Sequence, residues 1–435
     1  MSHFSIRFDS EESLQNHIDQ LIFSVREINT TVALLESQQP EWNGSHQTFL
    51  AIGEENTFQI LTDEANSGRD FFQDFQDWLD QQTKTTVGWL GYDLKNGVEE
   101  GLHSQNPSVL KEPLLRFWQP EIWLSVDYED FLIASDDPIP EIYQNFLHNP
   151  SSHNSSAEFG QWDLKHNSGA EEHRYKNIIR EAKRHITEGT YYEINLSRQQ
   201  TGTLSAHPYS LFQAMRKAGP VPMSAFIVCE NFAVSCLSPE RFLKKSGQKM
   251  ISEPIKGTRK RGGTSEEDNA MKSELYHSQK ERAENVMIVD LVRHDLNRVC
   301  RPGSVEVTEL CQIRSYETVH QMVSVIEGEV MEKFSVTDIL KAAFPMGSMT
   351  GAPKKSAMHD IERLENYKRG IYSGAIGYIT PQKDFDFNVV IRSAISNNEK
   401  LTYPVGGAIT ADSDAKEEWY ETEVKTQAFS SAKTI

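Results

Sequence analysis

The chain reads as an α+β protein built on large, largely antiparallel sheets. Three observations predict this. Its 435 residues with 38% hydrophobic content suffice for a large core. The second half alternates paired strand-like runs with helical ones, and it carries neither a regular βαβα rhythm nor a GxGxxG turn. The length suits two domains or one domain with an extended sheet system.

In chain order, Thr31 to Ser37 (TVALLES) predicts a strand that leaves the core at Glu36. Phe71, Phe72, Phe75 and Trp78 share one face of a helix. The polar run from His148 to Ser156 reads as a linker or long surface loop and separates a unit of residues 1–150 from a second of 165–435. Ala170 to Glu188 is a charged amphipathic helix leading into a strand over Gly189 to Ser197. Strands follow at Ser224 to Val228 and Phe232 to Leu237.

Between Lys280 and Val299 the apolar residues Ala283, Val286, Met287, Val289, Val292 and Leu296 keep helical spacing, which puts Glu281 and Glu284 on one face. A second helix, Asp414 to Gln427, aligns Glu418 with Glu421 and sets Lys425 one turn beyond Glu421. Carboxylates from two helices suit magnesium, a hard cation that prefers oxygen ligands; each acidic face alone also reads as solvated surface.

Lysine and arginine number 44 against 63 acidic residues, a net charge of −19, so general attraction to nucleic acid or to an anionic membrane is not expected. Any anionic ligand needs a local cationic pocket. The first residues lack the pattern of a signal peptide, and no apolar run nears the roughly 18 to 20 residues that span a bilayer, so a cytoplasmic location is the expectation. Cys229, Cys236, Cys300 and Cys311 show no metal spacing and read as reduced and packed.

Lys256, in Pro254-Ile255-Lys256-Gly257-Thr258, sits on a glycine-permissive bend. It is either one basic residue of a surface turn or an amine held ready for attack. The second role requires a neutral amine, with a pKa lowered by roughly 2 to 3 from about 10.4. Gly347 to Lys354 opens a helix through Glu365, with Pro353 in its first turn, and offers backbone amides to an anion as readily as it makes an ordinary turn. Gly406, Gly407 and Ala408 could likewise bring bare backbone up to a carboxylate. Arg392, on the otherwise apolar run Asn388 to Ala394, needs an anionic partner, which is a ligand carboxylate or an internal one. His320 lies in a similar apolar run, where a satisfied core histidine is the commoner outcome.

Taken together and in order, these segments resemble the chorismate-utilising enzymes, the family of anthranilate, aminodeoxychorismate, isochorismate and salicylate synthases. The resemblance covers about residues 170–430. It rests on Leu237 to Phe242 (LSPERF), Pro254 to Thr258, Ala283 to Leu291 (AENVMIVDL), Gly347 to Lys354, Arg369 to Tyr378 and Phe387 to Arg392. It implies large antiparallel sheets packed as a sandwich with helices outside. It also implies magnesium on Glu284 and Glu421 with Glu281 and Glu418 nearby. Arg392, Tyr372, Lys425 and the Gly406 to Ala408 backbone would take the carboxylates of chorismate, and His320 and Ser348 would line its ring pocket.

Within the family, lysine at position 256 marks the aminodeoxychorismate branch, where the anthranilate and isochorismate enzymes carry alanine. The resemblance thus implies Lys256 as nucleophile, Glu240 as general acid and ammonia as nitrogen source. No Gly-x-Cys-x-Gly elbow is present, so a separate glutamine amidotransferase subunit is implied. Isochorismate and salicylate synthases carry a water-activating lysine where this chain has Glu193, and the family pattern leads one to expect glutamine there. Leu35, Glu36 and Ser37 match a motif that lines a tryptophan pocket. The alternatives are an anthranilate synthase component and a non-catalytic tryptophan-binding regulatory subunit.

Overall fold

The computed structural model describes residues 4–27, 30–37, 48–62, 64, 70–150, 161–165 and 169–431. Part of the polar run from His148 to Ser156, residues 151–156, lies outside them. Two sheets, of 12 and 10 strands among the described residues, hold the chain together, and their ladders are antiparallel.

The larger sheet runs Phe4–Arg7, Leu132–Ser135, Ile122–Asp127, Thr48–Ile52, Val32–Glu36, Met223–Cys229, Phe232–Ser238, Ser393–Asn397, Lys400–Ile409, Glu193–Leu204 and Gly351–Ala352. The smaller runs Ile255–Lys260, Val319–Glu329, Lys249–Glu253, Arg241–Ser246, Phe385–Asn388, Ala375–Ile379, Thr86–Leu90, Leu115–Gln119 and Glu55–Ile60. The boundary placed near residue 150 divides the sequence and not the sheets. Val32–Glu36 pairs with Met223–Cys229, and Thr86–Leu90 pairs with Ala375–Ile379.

Why the sheets stack follows from the two faces of each strand. Ala225, Ile227, Val234 and Cys236 point into a core shared with Trp89, Phe117 and Phe387 of the smaller sheet. Their neighbours Phe226, Val228, Ala233 and Leu237 point the other way, against Leu14, Ile18 and Leu21 of the Glu11–Glu27 helix and Phe212 of the Pro208–Ala218 helix. Strands covered on both faces are apolar throughout and lose the inside-outside alternation. The result is the expected sandwich with helices outside.

The predicted helix at Phe71 is real: it spans Phe71–Asp80, is capped by Asp70 accepting from Gln73 N at 3.2 Å, and buries Phe71, Phe72, Phe75 and Leu79. Each such side chain contributes about 1.5 to 3 kcal/mol through burial. The helix expected over Ala170 to Glu188 spans Gly169–Thr187 and stops at Gly189, whose φ of +81° suits a residue without Cβ. The next strand therefore starts later than the sequence suggests, at Glu193.

Two other local readings change. Gly347–Met349 is a single 3₁₀ turn and Gly351–Ala352 a short strand on Glu193–Leu204; the helix itself runs Lys354–Leu364, with Pro353 as its cap. Arg392 is not on a strand: pairing ends at Asn388 and resumes at Ser393, and Arg392 turns the chain between them at φ +51°.

Candidate active site

Lys256 is turned inward by an irregularity of pairing. Ile255 pairs with Val323 and Thr258 with Gln321, a shifted register that leaves Lys256 and Gly257 as a bulge, with Gly257 at φ +81°. Lys256 is 8% exposed, and its Nζ donates to Oε1 of fully buried Glu193 at 2.6 Å. Burial pushes the amine down, but Glu193, Glu284 and Glu240 push it up further, so it stands above its ordinary range. The lowered pKa that a nucleophilic amine requires is therefore not met in this arrangement. In this arrangement the amine is an ammonium held by Glu193.

Glu240 lies in the link between Phe232–Ser238 and Arg241–Ser246, with its N–H bonded to Ser238 Oγ at 3.2 Å and its carbonyl taking Val389 N at 3.0 Å. Burial pushes its carboxyl up to about 7, against the opposing pull of the Ser348 hydroxyl, Lys256 and Arg392. A carboxyl poised there can give a proton near neutral pH. The Arg392 carbonyl is tied to Leu237 N at 3.2 Å, while its guanidinium makes no hydrogen bond or ion pair among the described residues. Burial lowers its pKa, with Tyr403 and Glu240 opposing. An unpaired guanidinium in such a place suits a carboxylate ligand.

A pocket is lined by Glu240, Pro254 and Ser348 on one side and Ile288, Val292 and Leu296 on the other. Lys256, Arg392 and Tyr372 are not in that lining. Tyr372 is buried, and burial raises its pKa. Gly406, Gly407 and Ala408 lie in the Lys400–Ile409 strand opposite Ser197, Leu196 and Asn195. Pairing with Ser393–Asn397 stops at Thr402, so beyond it Glu193–Leu204 is the ladder neighbour. The Gly406 carbonyl faces away from that neighbour and accepts Lys425 Nζ at 2.7 Å.

His320 lies on the strand that pairs with the one carrying Lys256. It pairs in the ladder with Arg259, its Nδ1 meets Ser315 Oγ at 2.8 Å, and its Nε2 meets Asp268 Oδ1 at 3.0 Å. Both ring nitrogens are satisfied, the commoner outcome named above.

The acidic helices do converge. They span Gln279–Asn297 and Ala415–Ser431, and Lys280 Nζ lies 4.0 Å from both Glu284 Oε1 and Glu418 Oε1. Glu284 is 6% exposed, its Oε1 has no hydrogen bond, and burial raises its pKa to about 7 with Lys256 opposing. Glu418 takes Ser413 Oγ at 2.7 Å and is pushed up by burial and by Glu421. Burial also pushes Glu421 up, yet Lys425 at 2.7 Å prevails and lowers it. Glu281 is 3.4 Å from Arg259 and would lie 2.9 Å from a Cβ on Gly257; Gly407 approaches Glu418 and Glu421 in the same way.

Among the described residues no three His, Cys, Asp or Glu side chains form a ready-made metal cage. The donor set nevertheless fits a hard divalent cation. It is all carboxylate, one buried oxygen is orphaned, and lysine ammonium groups stand among the four acids.

Lys280 was not singled out from sequence, although it precedes Glu284 by four residues. Asn195 enters the sequence reading only as one position of the strand over Gly189 to Ser197. Leu35, Glu36 and Ser37 line a second pocket with Phe49, Met223 and Tyr378; Glu36 there pairs with Arg216 at 3.2 Å.

Comparison with known proteins gives the context. A family model described as chorismate binding enzyme matches residues 30–431. Aminodeoxychorismate synthase component 1 of Bacillus subtilis (strain 168) is 40% identical over 258 residues, 59% of this chain and 55% of that protein. Anthranilate synthase component 1 of Saccharolobus solfataricus is 32% identical over 347 residues, 80% of each chain. The crystal structure of anthranilate synthase component I from Streptococcus pneumoniae superposes with a TM-score of 0.78 at 24% identity, covering 90% of this chain and 93% of that one. The match to the Bacillus relative spans about half of that relative's length. Among the described residues no helix is long and apolar enough to cross a membrane. With its motifs, its sandwich and a match along most of its length, the chain belongs to the family of chorismate-binding enzymes.

Proposed function

We propose that this chain is the aminating component of an aminodeoxychorismate synthase, converting chorismate and ammonia to 4-amino-4-deoxychorismate, a precursor of para-aminobenzoate and folate. The observation that carries the reading is the Lys256 amine, buried and flanked by Glu193, Glu240 and Glu284. Arg392, the Gly406 to Ala408 backbone and Lys425 hold the substrate's carboxylates, with Tyr372 behind them and Ser348 beside the ring.

Glu193 Oε1 accepts a proton from Lys256, and the freed amine attacks ring carbon 2. The hydroxyl on carbon 4 leaves as water with the proton of Glu240. Ammonia then adds at carbon 4, the carbon 2–Nζ bond breaks, and its electron pair returns to Lys256. Glu193 gives the proton back to that amine, and the new ammonium on carbon 4 reprotonates Glu240. Glu284 and Glu421, with Glu281 and Glu418 near, would hold magnesium, which when bound would supply Lewis-acid charge to a substrate carboxylate. A separate glutamine amidotransferase subunit delivers the ammonia, and tryptophan occupies the cavity at Leu35, Glu36 and Ser37.

The test is product analysis with chorismate, magnesium and ammonium. Aminodeoxychorismate with pyruvate retained supports the proposal, and Lys256→Ala abolishes a covalent substrate adduct in the protein's mass spectrum. Release of pyruvate with anthranilate fluorescence supports the second reading, anthranilate synthase, which the 80% mutual coverage with the Saccharolobus protein favours.

A further inference from the structure

Arg369 and Glu365 form a buried ion pair, Nη2 to Oε1 at 2.6 Å and Nε to Oε2 at 2.9 Å, the two residues being 2% and 4% exposed. Burying two charges is a poor way to gain stability, since apolar side chains of similar volume often do as well. The destinations of the remaining bonds give this pair another use. A guanidinium has five N–H donors, and the three that Glu365 leaves free reach the Met349 carbonyl at 2.7 Å, the Ser373 hydroxyl at 3.2 Å and the Asn195 carbonyl at 2.8 Å. Glu365 Oε1 also accepts from Ser197 N and Ser197 Oγ, each at 2.8 Å. Met349 follows Ser348 in its single 3₁₀ turn, Ser373 follows Tyr372 at φ +63°, and Ser197 stands opposite Gly406 in the ladder.

We propose that Arg369, locked by Glu365, is a positioning residue for the chorismate pocket: it fixes the backbone segments that carry Ser348, Tyr372 and Gly406 in one frame, so that the ring and carboxylate contacts are set before the substrate arrives. The proposal rests on the assignment of those three residues to chorismate in the reading above. A guanidinium suits the task because its donors lie in one rigid plane, whereas an ammonium is a point charge on a flexible stem. The Tyr92 ring, with its centroid 4.7 Å from the guanidinium carbon, packs against that plane. None of these bonds goes to the helices Gln279–Asn297 and Ala415–Ser431, which carry the four carboxylates of the metal wall. The effect of Arg369 should therefore fall on chorismate and spare magnesium.

The double variant Glu365→Leu with Arg369→Met tests this in the full chain, because it removes both charges and every tie while filling the space with apolar groups. Initial rates of chorismate consumption are measured with magnesium and saturating ammonium chloride. KM for chorismate should rise at least fivefold, the magnesium concentration for half-maximal rate should move less than twofold, and the thermal midpoint should stay within about 5 °C of the wild type. A pair that only supports the core would not move KM while leaving the melt in place. A smaller rise in KM in the folded variant overturns the proposal, and so does a magnesium requirement that rises as much as KM, which marks general loosening of the site. Arg369→Lys keeps the charge beside Glu365 and loses the planar fork; it carries the same comparison if the double variant does not fold. Anthranilate and pyruvate as the wild-type products sink the amination reading alone, since consumption of chorismate reports KM whatever the product.

Discussion

The two walls of the site are built differently. On the strand side, Glu193, Glu240 and Lys256 are buried, and a 2.6 Å contact already joins Lys256 to Glu193. On the helix side, four carboxylates are spaced by lysines: Lys280 stands 4.0 Å from two of them and Lys425 holds a third. The Lys280 side chain is half exposed, and so is that of Glu421. The difference matches the two tasks. Covalent chemistry needs fixed atoms, whereas a site that takes up a cation from solution needs oxygens that can be exchanged from one positive group to another.

Glu240→Gln should give the largest effect. Turnover falls about 10²- to 10⁴-fold, the size expected for losing a general acid. In the wild type, activity should decline as pH rises through about 7, where Glu240 loses its proton; the variant's residual activity lacks that limb. The substitution acts on stability with the opposite sign to its effect on turnover. Folded Glu240 keeps its proton up to about 7, whereas an unfolded glutamate loses it near its ordinary value of about 4.3, so the folded state binds more protons in that window and stability falls as pH rises across it. Glutamine removes the liability, and thermal melts at pH 8 should show the variant more stable by about 1 to 3 kcal/mol. Equal melts at pH 5 and pH 8 relative to wild type contradict this.

On the other wall, Glu284→Gln removes a buried oxygen donor and should raise the magnesium concentration for half-maximal activity by about 100-fold. A magnesium titration of initial rate checks it. A curve overlying that of the wild type removes Glu284 from the metal site.

Gly257 is where the walls touch. A methyl group there would lie 2.9 Å from both Glu281 Oε2 and Leu275 Cδ1, on a backbone at φ +81°. Gly257→Ala should cost about 1 to 2 kcal/mol in chemical denaturation and lower kcat/KM about tenfold by shifting Lys256. Loss of stability without loss of rate means that Lys256 tolerates the displacement.

Much of this was legible in the residues, but not evenly. Glu281, Glu284, Glu418 and Glu421 announced themselves by three-residue spacing on helices, since that spacing alone fixes a shared face. The sandwich was not derivable from alternation, because strands such as Met223–Cys229 are covered on both faces and read as uniformly apolar. Partners far along the chain were invisible. Asp268 reaches His320 across 52 residues, and Glu193 reaches Lys256 across 63, which is why the direction of the amine's pKa is not legible in the sequence. Lys280 was overlooked for a different reason: a lysine four residues before a glutamate is the usual mark of a solvent-facing helix.

That lysine gives the finest test of the contrast between the walls. At 4.0 Å from Glu284 and Glu418, and half exposed, its ion pairs contribute about 0 to 1 kcal/mol to stability, so removing them leaves the fold nearly unchanged. Its effect on a cation is another matter, because an ammonium among the four carboxylates competes for the same oxygens. Lys280→Met keeps the stem and removes the charge, and it should lower the magnesium concentration for half-maximal activity by about two- to fivefold, the equivalent of about 0.4 to 1 kcal/mol. If instead the variant needs more magnesium, Lys280 is not a competitor but a partner of the bound substrate, and the helix wall is as preset as the strand wall.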